Sequence, residues 1–127
     1  MATSSFFKDW FLYESFHKRC KDSERVLAKH KDKLPIIVGP GSDSAPVISN
    51  HKFLVPVDMT VGHVMHMLRS RIKVKPDQAL FLFVNSMTDT SHDSIPSNTQ
   101  MIGQLYSMYR SEDGFLYIKY DVESTFG

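Results

Sequence analysis

The chain has 127 residues, of which 42% are hydrophobic and 23% are charged, and its formal net charge is +1. This length and composition are typical of one globular domain that buries a core without disulfides or metals. The near-neutral charge gives no general electrostatic reason to bind nucleic acid or an anionic membrane surface.

Cysteine content and hydropathy predict a cytosolic protein. The single cysteine, Cys20, excludes an internal disulfide and fits a reducing compartment. The apolar runs fall short of the roughly 20 residues that a membrane-spanning helix needs. Lys8 and Asp9 interrupt the short apolar stretch near the N-terminus, so we expect no signal peptide.

Residues 1–30 predict a helical N-terminal extension. Near its start, aromatic side chains recur at helical spacing and indicate a short amphipathic helix. These side chains are Phe6, Phe7, Trp10 and Phe11. A second helix is predicted from Ser15 to His30, where charged residues surround one apolar stripe. That stripe consists of Phe16, Cys20, Ser23 and Leu27.

The middle of the chain predicts two strands and a helix. Leu34–Val38 is an apolar strand, and the Gly-, Pro-, Ser- and Asp-rich residues 39–51 are expected to form a loop after it. Lys52–Pro56 is the second strand. Thr60 is the expected N-cap of a helix that runs to Ile72 and packs one face on a sheet. That face carries Val61, Met65, Leu68 and Ile72.

The C-terminal part predicts two further strands and a short helix. Leu80–Val84 is apolar throughout, as expected of a strand at the centre of the sheet that is buried on both faces. Residues 85–99 are polar and are predicted to form a mobile loop. Met101–Tyr109 is a short helix, and Phe115–Tyr120 is the last strand. A tail, residues 121–127, follows that strand.

This order of elements predicts an α+β fold, a ubiquitin-like β-grasp with two additional N-terminal helices. The helical extension would occupy residues 1–30, the β-grasp domain residues 31–120, and a flexible C-terminal conjugation tail residues 121–127. The tail ends in Gly127, whose lack of a side chain suits a carboxylate that an enzyme activates and transfers. A frayed chain end is the alternative interpretation of the same residue.

Several short motifs occur in order along residues 10–127. They are Leu34-Pro35-Ile36-Ile37-Val38, Lys52-Phe53-Leu54-Val55-Pro56, Thr60-Val61-Gly62, Ala79-Leu80-Phe81-Leu82-Phe83-Val84-Asn85, Gly103-Gln104-Leu105-Tyr106, Phe115-Leu116-Tyr117-Ile118 and Phe126-Gly127. Together they closely resemble the autophagy ubiquitin-like modifiers, the family of microtubule-associated protein light chain 3 and the GABA-receptor-associated protein. The resemblance implies reversible conjugation of Gly127 to phosphatidylethanolamine on the autophagosomal membrane. It also implies recruitment of cargo receptors and machinery through short aromatic-x-x-aliphatic peptides.

The residues of the second strand predict a peptide-binding edge. Lys52 and Leu54 share one side of this strand, and Phe53 and Val55 share the other. If the strand lies at the edge of the sheet, its free N–H and C=O groups can accept an extended peptide as an added strand. Lys52 and Arg71 would favour acidic residues around the peptide motif.

By resemblance, two pockets flank this edge and hold the two anchors of the peptide. The first, for an aromatic side chain, would consist of Asp22, Val26, Pro35, Lys52, Leu54 and Phe115. The second, for a Leu, Ile or Val three residues later, would consist of Phe53, Val55, Pro56, Met59, Val64, Met67 and Arg71. On the helix after Thr60, helical spacing predicts an outward orientation for Val64, Met67 and Arg71. Val64, Met67 and Asp22 differ from the residues common in the family, so we expect a differently shaped second pocket.

Two further features depart from the family pattern. The N-terminal helix is aromatic where the family is usually polar and often basic. We expect its aromatic residues to pack on the β-grasp body, with partial insertion into lipid after anchoring of Gly127 as the alternative. The loop at residues 85–99 is longer than in the family and suggests an insertion without an assigned function.

The sequence offers no convincing enzyme site. Cys20 lies on an apolar stripe, so we expect it to pack as a small hydrophobic residue rather than to act as a nucleophile. His63 and His66 lack a third ligand at suggestive spacing, so we expect no metal and no cofactor. The chain is expected to be a substrate of activating and conjugating enzymes and of a deconjugating cysteine protease, and to be monomeric in solution.

Two alternative functions share these features. A sister type of β-grasp modifier attaches its terminal glycine to a protein lysine, and a β-grasp peptide-binding adaptor is never conjugated. The mass of an adduct separates the lipid-linked from the protein-linked modifier, and Gly127→Ala separates both from the adaptor. Because the chain stops at Gly127, we expect either a processed form or a gene product that ends there.

Overall fold

The structure, a computed structural model, describes residues 5–86 and 89–124, without the side chains of residues 5, 85, 86 and 89–92. Within these ranges the helices are Ser5–Tyr13 (α1), Phe16–Lys29 (α2), Val61–Arg71 (α3) and Ile102–Tyr109 (α4). The strands are Lys33–Pro40 (β1), Lys52–Pro56 (β2), Gln78–Ser86 (β3), Asp89–Ser94 (β4) and Leu116–Ser124 (β5).

The strands form one mixed sheet in the order β2-β1-β5-β3-β4. The central pair, β1 and β5, is parallel, whereas β1–β2, β3–β5 and β3–β4 are antiparallel. With α3 as the crossover helix, this is the ubiquitin-like β-grasp, and α1 and α2 are the two additional N-terminal helices. The fold class expected from the sequence is confirmed.

Side-chain oxygens cap two of the helices. The Ser15 hydroxyl accepts a hydrogen bond from the Lys18 N–H at the start of α2, and the Thr60 hydroxyl accepts one from the His63 N–H at the start of α3, both at 3.2 Å. Each bond satisfies a backbone donor that has no partner inside the helix. Thr60 is therefore the N-cap that the sequence predicted.

Along β1 and β5, successive side chains alternate between the two faces of the sheet, and both faces are buried there. Ile36, Val38, Leu116 and Ile118 belong to the larger core, which α3 and α4 help to cover. On the opposite face, a smaller cluster combines α1 with the two central strands. Its buried members are Phe7, Ile37, Phe115 and Tyr117. Successive strand residues point to opposite sides, so each central strand contributes to both clusters.

The prediction for Leu80–Val84 was wrong in two respects. This segment lies in β3, whereas the middle strand of the sheet is β5. Leu80, Leu82 and Val84 are buried, but Phe81 and Phe83 are only half-buried. The physical reason is the placement of the N-terminal helices against β1, which β5 separates from β3. An apolar run in the sequence does not show which face of the sheet is left without a helix packed on it.

The predicted loop at residues 85–99 contains a strand. Residues 89–94 form β4, which pairs with β3 through Val84↔Ser94 and Ser86↔Asp89 with a register irregularity between them. A strand at the edge of a sheet is held by backbone hydrogen bonds and does not need an apolar face, so polar residues can form one. Only residues 95–99 of the predicted loop follow it as irregular chain up to α4.

The predicted start of the tail at Asp121 was also too early. Residues 121–124 continue β5 and pair with β3, ending at Gln78↔Ser124. The long partner strand β3 supplies hydrogen-bonding positions that a local sequence pattern does not show. Residues 125–127 lie outside the described residues. In the described part of the chain, none of the helices has the length and hydrophobicity to cross a membrane.

Candidate peptide-binding site

The edge strand β2 presents free backbone groups. It is the outermost strand on its side of the sheet and pairs with β1, with Phe53 opposite Ile36. The Val38 N–H donates to the His51 carbonyl at 2.8 Å, just before β2 begins. Because hydrogen-bonded pairs alternate along antiparallel strands, Phe53 faces β1 with its backbone groups, whereas Lys52 and Leu54 direct theirs outward.

The side chain of Asn50 occupies the outward backbone groups of Lys52. Its amide nitrogen donates to the Lys52 carbonyl at 3.0 Å, and its amide oxygen accepts from the Lys52 N–H at 3.4 Å. Asparagine often forms such local bonds in place of a backbone partner. At Lys52 the Asn50 side chain therefore stands where an added strand would bind.

An open cleft of about 130 Å³ lies beside this edge. Its lining joins α2, β1, β2 and the residue before β5, and consists of Asp22, Arg25, Val26, Pro35, Lys52, Phe53, Leu54 and Phe115. All members of the first pocket expected by resemblance are present in this list. The structure thus brings them together, and binding of a peptide there stays a prediction.

The cleft has an apolar base and a charged rim. Pro35 and Phe115 are buried, Val26 is half-buried, and Leu54 keeps 40% of its surface exposed. A planar apolar side chain could therefore exchange water contacts for contacts with these groups. This arrangement suits the aromatic anchor of a peptide.

Asp22 is the hub of the charged rim. Its carboxylate lies 3.2 Å from the Arg25 guanidinium, 3.6 Å from the Lys52 ammonium and 3.9 Å from the Lys18 ammonium. Lys52 also lies 4.0 Å from the Glu14 carboxylate and 5.5 Å from the centroid of the Trp10 ring. Pairs in which the cation is exposed, as here, contribute little to stability and are easily rearranged. Lys52 can thus turn toward an acidic residue of a ligand.

The aromatic residues of α1 pack on the body of the protein, as expected. Phe7 is buried and its ring makes a T-shaped contact with that of Tyr117, and Phe6, Trp10 and Phe11 pack around the same cluster. The Phe6 ring lies 4.2 Å from the His51 ring, whose Nδ1 donates to the Val38 carbonyl. This packing places α1 beside the cleft, because the cluster shares Phe115 with its lining.

The expected second pocket is only partly accessible. Phe53, Pro56, Met59 and Met67 are half-buried, and the Arg71 guanidinium carbon lies 5.5 Å from the centroid of the Phe53 ring. Val55 and Val64, by contrast, are 2% and 1% exposed and belong to the larger core. They can support such a pocket from below but offer it almost no surface.

The predicted outward orientation of Val64 was wrong. Val64 follows Val61 by three residues and precedes Leu68 by four, so it lies on the same helix face as these two. All three are buried in the larger core. Arg71 is exposed as expected, and Met67 is half-buried on the border between the two faces.

Two cleft residues were missed from the sequence. Arg25 follows Asp22 by three residues on α2, so helical spacing could have identified it. Phe53 was assigned to the other side of β2, where its ring packs against the larger core, yet the residue also contributes to the lining of the cleft. Asp113, which is buried close to Phe115, gave no local signal at all.

The remaining sequence-predicted groups are easily placed. His63 and His66 are exposed on α3, and the described residues contain no cluster of three or more His, Cys, Asp or Glu that could hold a metal ion. Cys20 is a half-buried free thiol. The predicted lipid attachment residue, Gly127, lies outside the described residues, so its role stays a prediction.

Together, the β-grasp fold, the free edge and the adjoining cleft define a ubiquitin-like protein suited to binding an extended peptide. A family model described as "Autophagy protein Atg8 ubiquitin like" matches residues 18–127. The chain therefore belongs to the Atg8 family of ubiquitin-like autophagy proteins.

Individual relatives agree with this assignment. Autophagy-related protein 8h of Arabidopsis thaliana is 41% identical over 122 residues, which are 95% of this chain and 94% of the relative. Autophagy-related protein 8 of Schizosaccharomyces pombe is 39% identical over 122 residues, covering 95% and 93%.

Solved structures agree as well. Trypanosoma brucei ATG8 has a TM-score of 0.79 at 35% identity, covering 93% of this chain and 97% of its own. Plasmodium falciparum Atg8, in complex with a peptide of Plasmodium falciparum Atg3, has a TM-score of 0.76 at 27% identity, covering 91% and 96%.

Proposed function

We propose that this protein is a lipid-linked autophagy modifier. Its C-terminal Gly127 is conjugated to phosphatidylethanolamine, which transfers the protein from the cytoplasm to the autophagosomal membrane. There it recruits cargo receptors and machinery that carry an aromatic-x-x-aliphatic peptide. Membership of the Atg8 family is the single observation that supports this function best.

In the conjugation step, partner enzymes carry out the chemistry. An activating enzyme uses ATP to activate the Gly127 carboxylate, and the acyl group passes through enzyme thioesters to the amine of the lipid. A deconjugating cysteine protease reverses the link. The protein itself acts as a substrate, and glycine at the reacting position leaves the carbonyl unhindered.

The peptide-binding step is supported by the geometry beside β2. The outward groups at Leu54, and those at Lys52 once the Asn50 side chain is displaced, suit an added strand, and the cleft at Phe115 suits the aromatic anchor. The aliphatic anchor would contact the accessible residues around Phe53 and Met67. The solved structure of the Plasmodium relative adds support, since that protein is in complex with a peptide of Atg3.

Typical free energies of burial and hydrogen bonding predict a moderate affinity for such a peptide. An aromatic ring buries about 150–250 Å², which is worth about 4–6 kcal/mol at about 25 cal/mol/Å². An aliphatic anchor adds about 1.5–3 kcal/mol, and each strand hydrogen bond adds about 1 kcal/mol. Ordering a flexible peptide cancels much of this gain. We expect dissociation constants of about 1 μM, or about −8 kcal/mol.

Intact-mass analysis tests the conjugation. The protein is incubated with the activating and conjugating enzymes, ATP and liposomes that contain phosphatidylethanolamine, and Gly127→Ala serves as the control. A phospholipid adduct on the Gly127 protein alone is the expected result. An adduct on protein lysines would indicate the sister type of modifier. No adduct, with the enzymes active on a known substrate, would indicate an unconjugated adaptor.

A peptide titration tests the binding surface separately. Leu54→Ala removes part of the cleft wall and Lys52→Ala removes a cation at its rim, so both should weaken binding of an acidic aromatic-x-x-aliphatic peptide by about tenfold. Conjugation should continue in both variants, because β1 separates β2 from β5, the strand that precedes the tail. Unchanged affinity in both would contradict the assignment of the first pocket.

A further inference from the structure

A buried carboxylate lies directly behind the cleft. Asp113, in the turn between α4 and β5, is 2% exposed. One of its oxygens accepts hydrogen bonds from the Arg19 Nε, at 2.8 Å, and from the Tyr117 hydroxyl. The other oxygen accepts from the Phe115 N–H at 2.9 Å. The side chain of Asp113 therefore holds the backbone of a residue that lines the cleft.

The same turn is joined to α2 by further contacts. The Ser23 hydroxyl donates to the Asp113 carbonyl, and Gly114 lies so close to Ser23 that a Cβ at position 114 would clash with its hydroxyl. Arg19 donates through its terminal nitrogen to the Glu14 carbonyl. These contacts connect α2, the end of α1 and the start of β5 at one point.

The network connects two elements that line the cleft. The α2 residues Asp22, Arg25 and Val26 form one part of the cleft lining, and Phe115 forms another. The Arg19–Asp113 pair joins these two parts of the lining, yet neither residue lines the cleft itself. Charge-assisted hydrogen bonds in a close-packed interior have short, specific geometry. A change in this pair therefore changes the separation of the two parts.

We infer that Arg19 and Asp113 are positioning residues that set the width of the first pocket and thereby select the size of the aromatic anchor. This inference rests on the proposed peptide binding and specifies what determines its selectivity. Tyr117 contributes through its hydroxyl, which holds the same carboxylate oxygen as Arg19. The ligand class is a peptide with an indole, phenol or phenyl side chain at the anchor position.

Two conservative variants test the inference. Arg19→Lys keeps the charge but loses the Nε contact and the contact to the Glu14 carbonyl. Tyr117→Phe removes only one hydroxyl and keeps the ring. Dissociation constants are measured with peptides that differ only at the anchor, which is Trp, Tyr, Phe or Leu. We expect affinity for the preferred anchor to fall about fivefold or more, and the ratio between Trp and Phe anchors to shift toward the larger ring.

A destabilising variant elsewhere supplies the control. Leu105→Ala lies on α4 in the larger core, on the opposite face of the sheet. It should lower stability at least as much as Tyr117→Phe and leave the ratio between anchors unchanged. A ratio that stays constant in Arg19→Lys and Tyr117→Phe, or that shifts equally in Leu105→Ala, overturns the inference. A wild-type protein that binds none of the peptides overturns the proposed peptide binding as well.

Discussion

Among single residues, Asn50 is the one whose side chain competes most directly with a peptide. It bonds both outward backbone groups of Lys52 in the free protein. Replacing Asn50 by alanine removes this competitor, so we expect the affinity for an aromatic-x-x-aliphatic peptide to rise about two- to fivefold. Isothermal titration calorimetry with one peptide measures the change.

Asn98 supplies a matched control for this substitution. It is exposed in the segment before α4, where its backbone carbonyl accepts from Gly62. Asn98→Ala should leave the peptide affinity unchanged. An Asn50→Ala variant that binds no better than Asn98→Ala would show that the amide does not hinder strand addition.

Gly114 is the residue whose backbone most clearly requires glycine. Its φ of +91° is strained for other residues, and a Cβ there would lie 2.9 Å from the Ser23 Cβ and collide with the hydroxyl. We expect Gly114→Ala to lower the free energy of unfolding by about 2 kcal/mol or more, as measured by urea denaturation. Gly62→Ala, whose nearest contact would be 3.3 Å, should cost less. Equal stability of the two variants would contradict this explanation.

At the scale of elements, the docking of α1 can be observed through the single tryptophan of the chain. Trp10 is half-buried in the cluster that Phe7 anchors. Phe7→Ala removes a buried ring and should release α1 from β1, since short isolated helices are barely stable. We expect the Trp10 fluorescence to shift to longer wavelength, toward that of solvated indole.

Leu12 provides the control on the same helix. It is 82% exposed, so Leu12→Ala should leave the Trp10 emission at its wild-type wavelength. If Phe7→Ala also keeps the wild-type emission, the aromatic face does not hold α1 in place. Such a result would favour the alternative in which the aromatic residues of α1 insert partly into lipid.

The elements that sequence reasoning identified are those with a local physical signal. The Thr60 cap of α3, the helical periodicity of α2 and α3 and the apolar strands β1 and β3 could be recognised because period and composition agree. Strand β4 could not, because Asp89–Ser94 is polar and is held through its backbone at an edge. The last residues of β5 were not predicted as strand for a related reason, since their pairing depends on the distant β3.

The residues of the candidate site were harder to predict than the helices and strands. Those of the first pocket come from separate elements, and only the resemblance to a family united them before the structure did. Val64 was misplaced because it was grouped with Met67 and Arg71, although its spacing to Val61 and Leu68 already indicates the buried helix face. Asp113 was missed because its partners Arg19 and Tyr117 approach it only through the tertiary fold.

For the molecule as a whole, buried tyrosines predict how stability depends on pH. Burial raises the pKa of Tyr120 to about 12, and burial together with the hydrogen bond to Asp113 raises the pKa of Tyr117 well above its usual value of 10.0. Above pH 10 the unfolded chain loses these protons first, which stabilises the unfolded state. We therefore expect the free energy of unfolding to be insensitive to these groups below pH 10 and to fall as pH rises from 10 to 12.

Urea denaturation between pH 8 and pH 12 in matched variants isolates the tyrosines from other alkaline titrations. Tyr120→Phe removes one buried group, so stability should fall less steeply above pH 10 than in the wild type, even if the variant starts out less stable. Tyr13 is 88% exposed, so Tyr13→Phe should keep the wild-type slope. Slopes that are equal in all three proteins would mean that the Tyr120 hydroxyl titrates alike in the folded and unfolded chains. Such a result would contradict the burial of this residue under the loop at Pro46, whose carbonyl accepts its hydrogen bond.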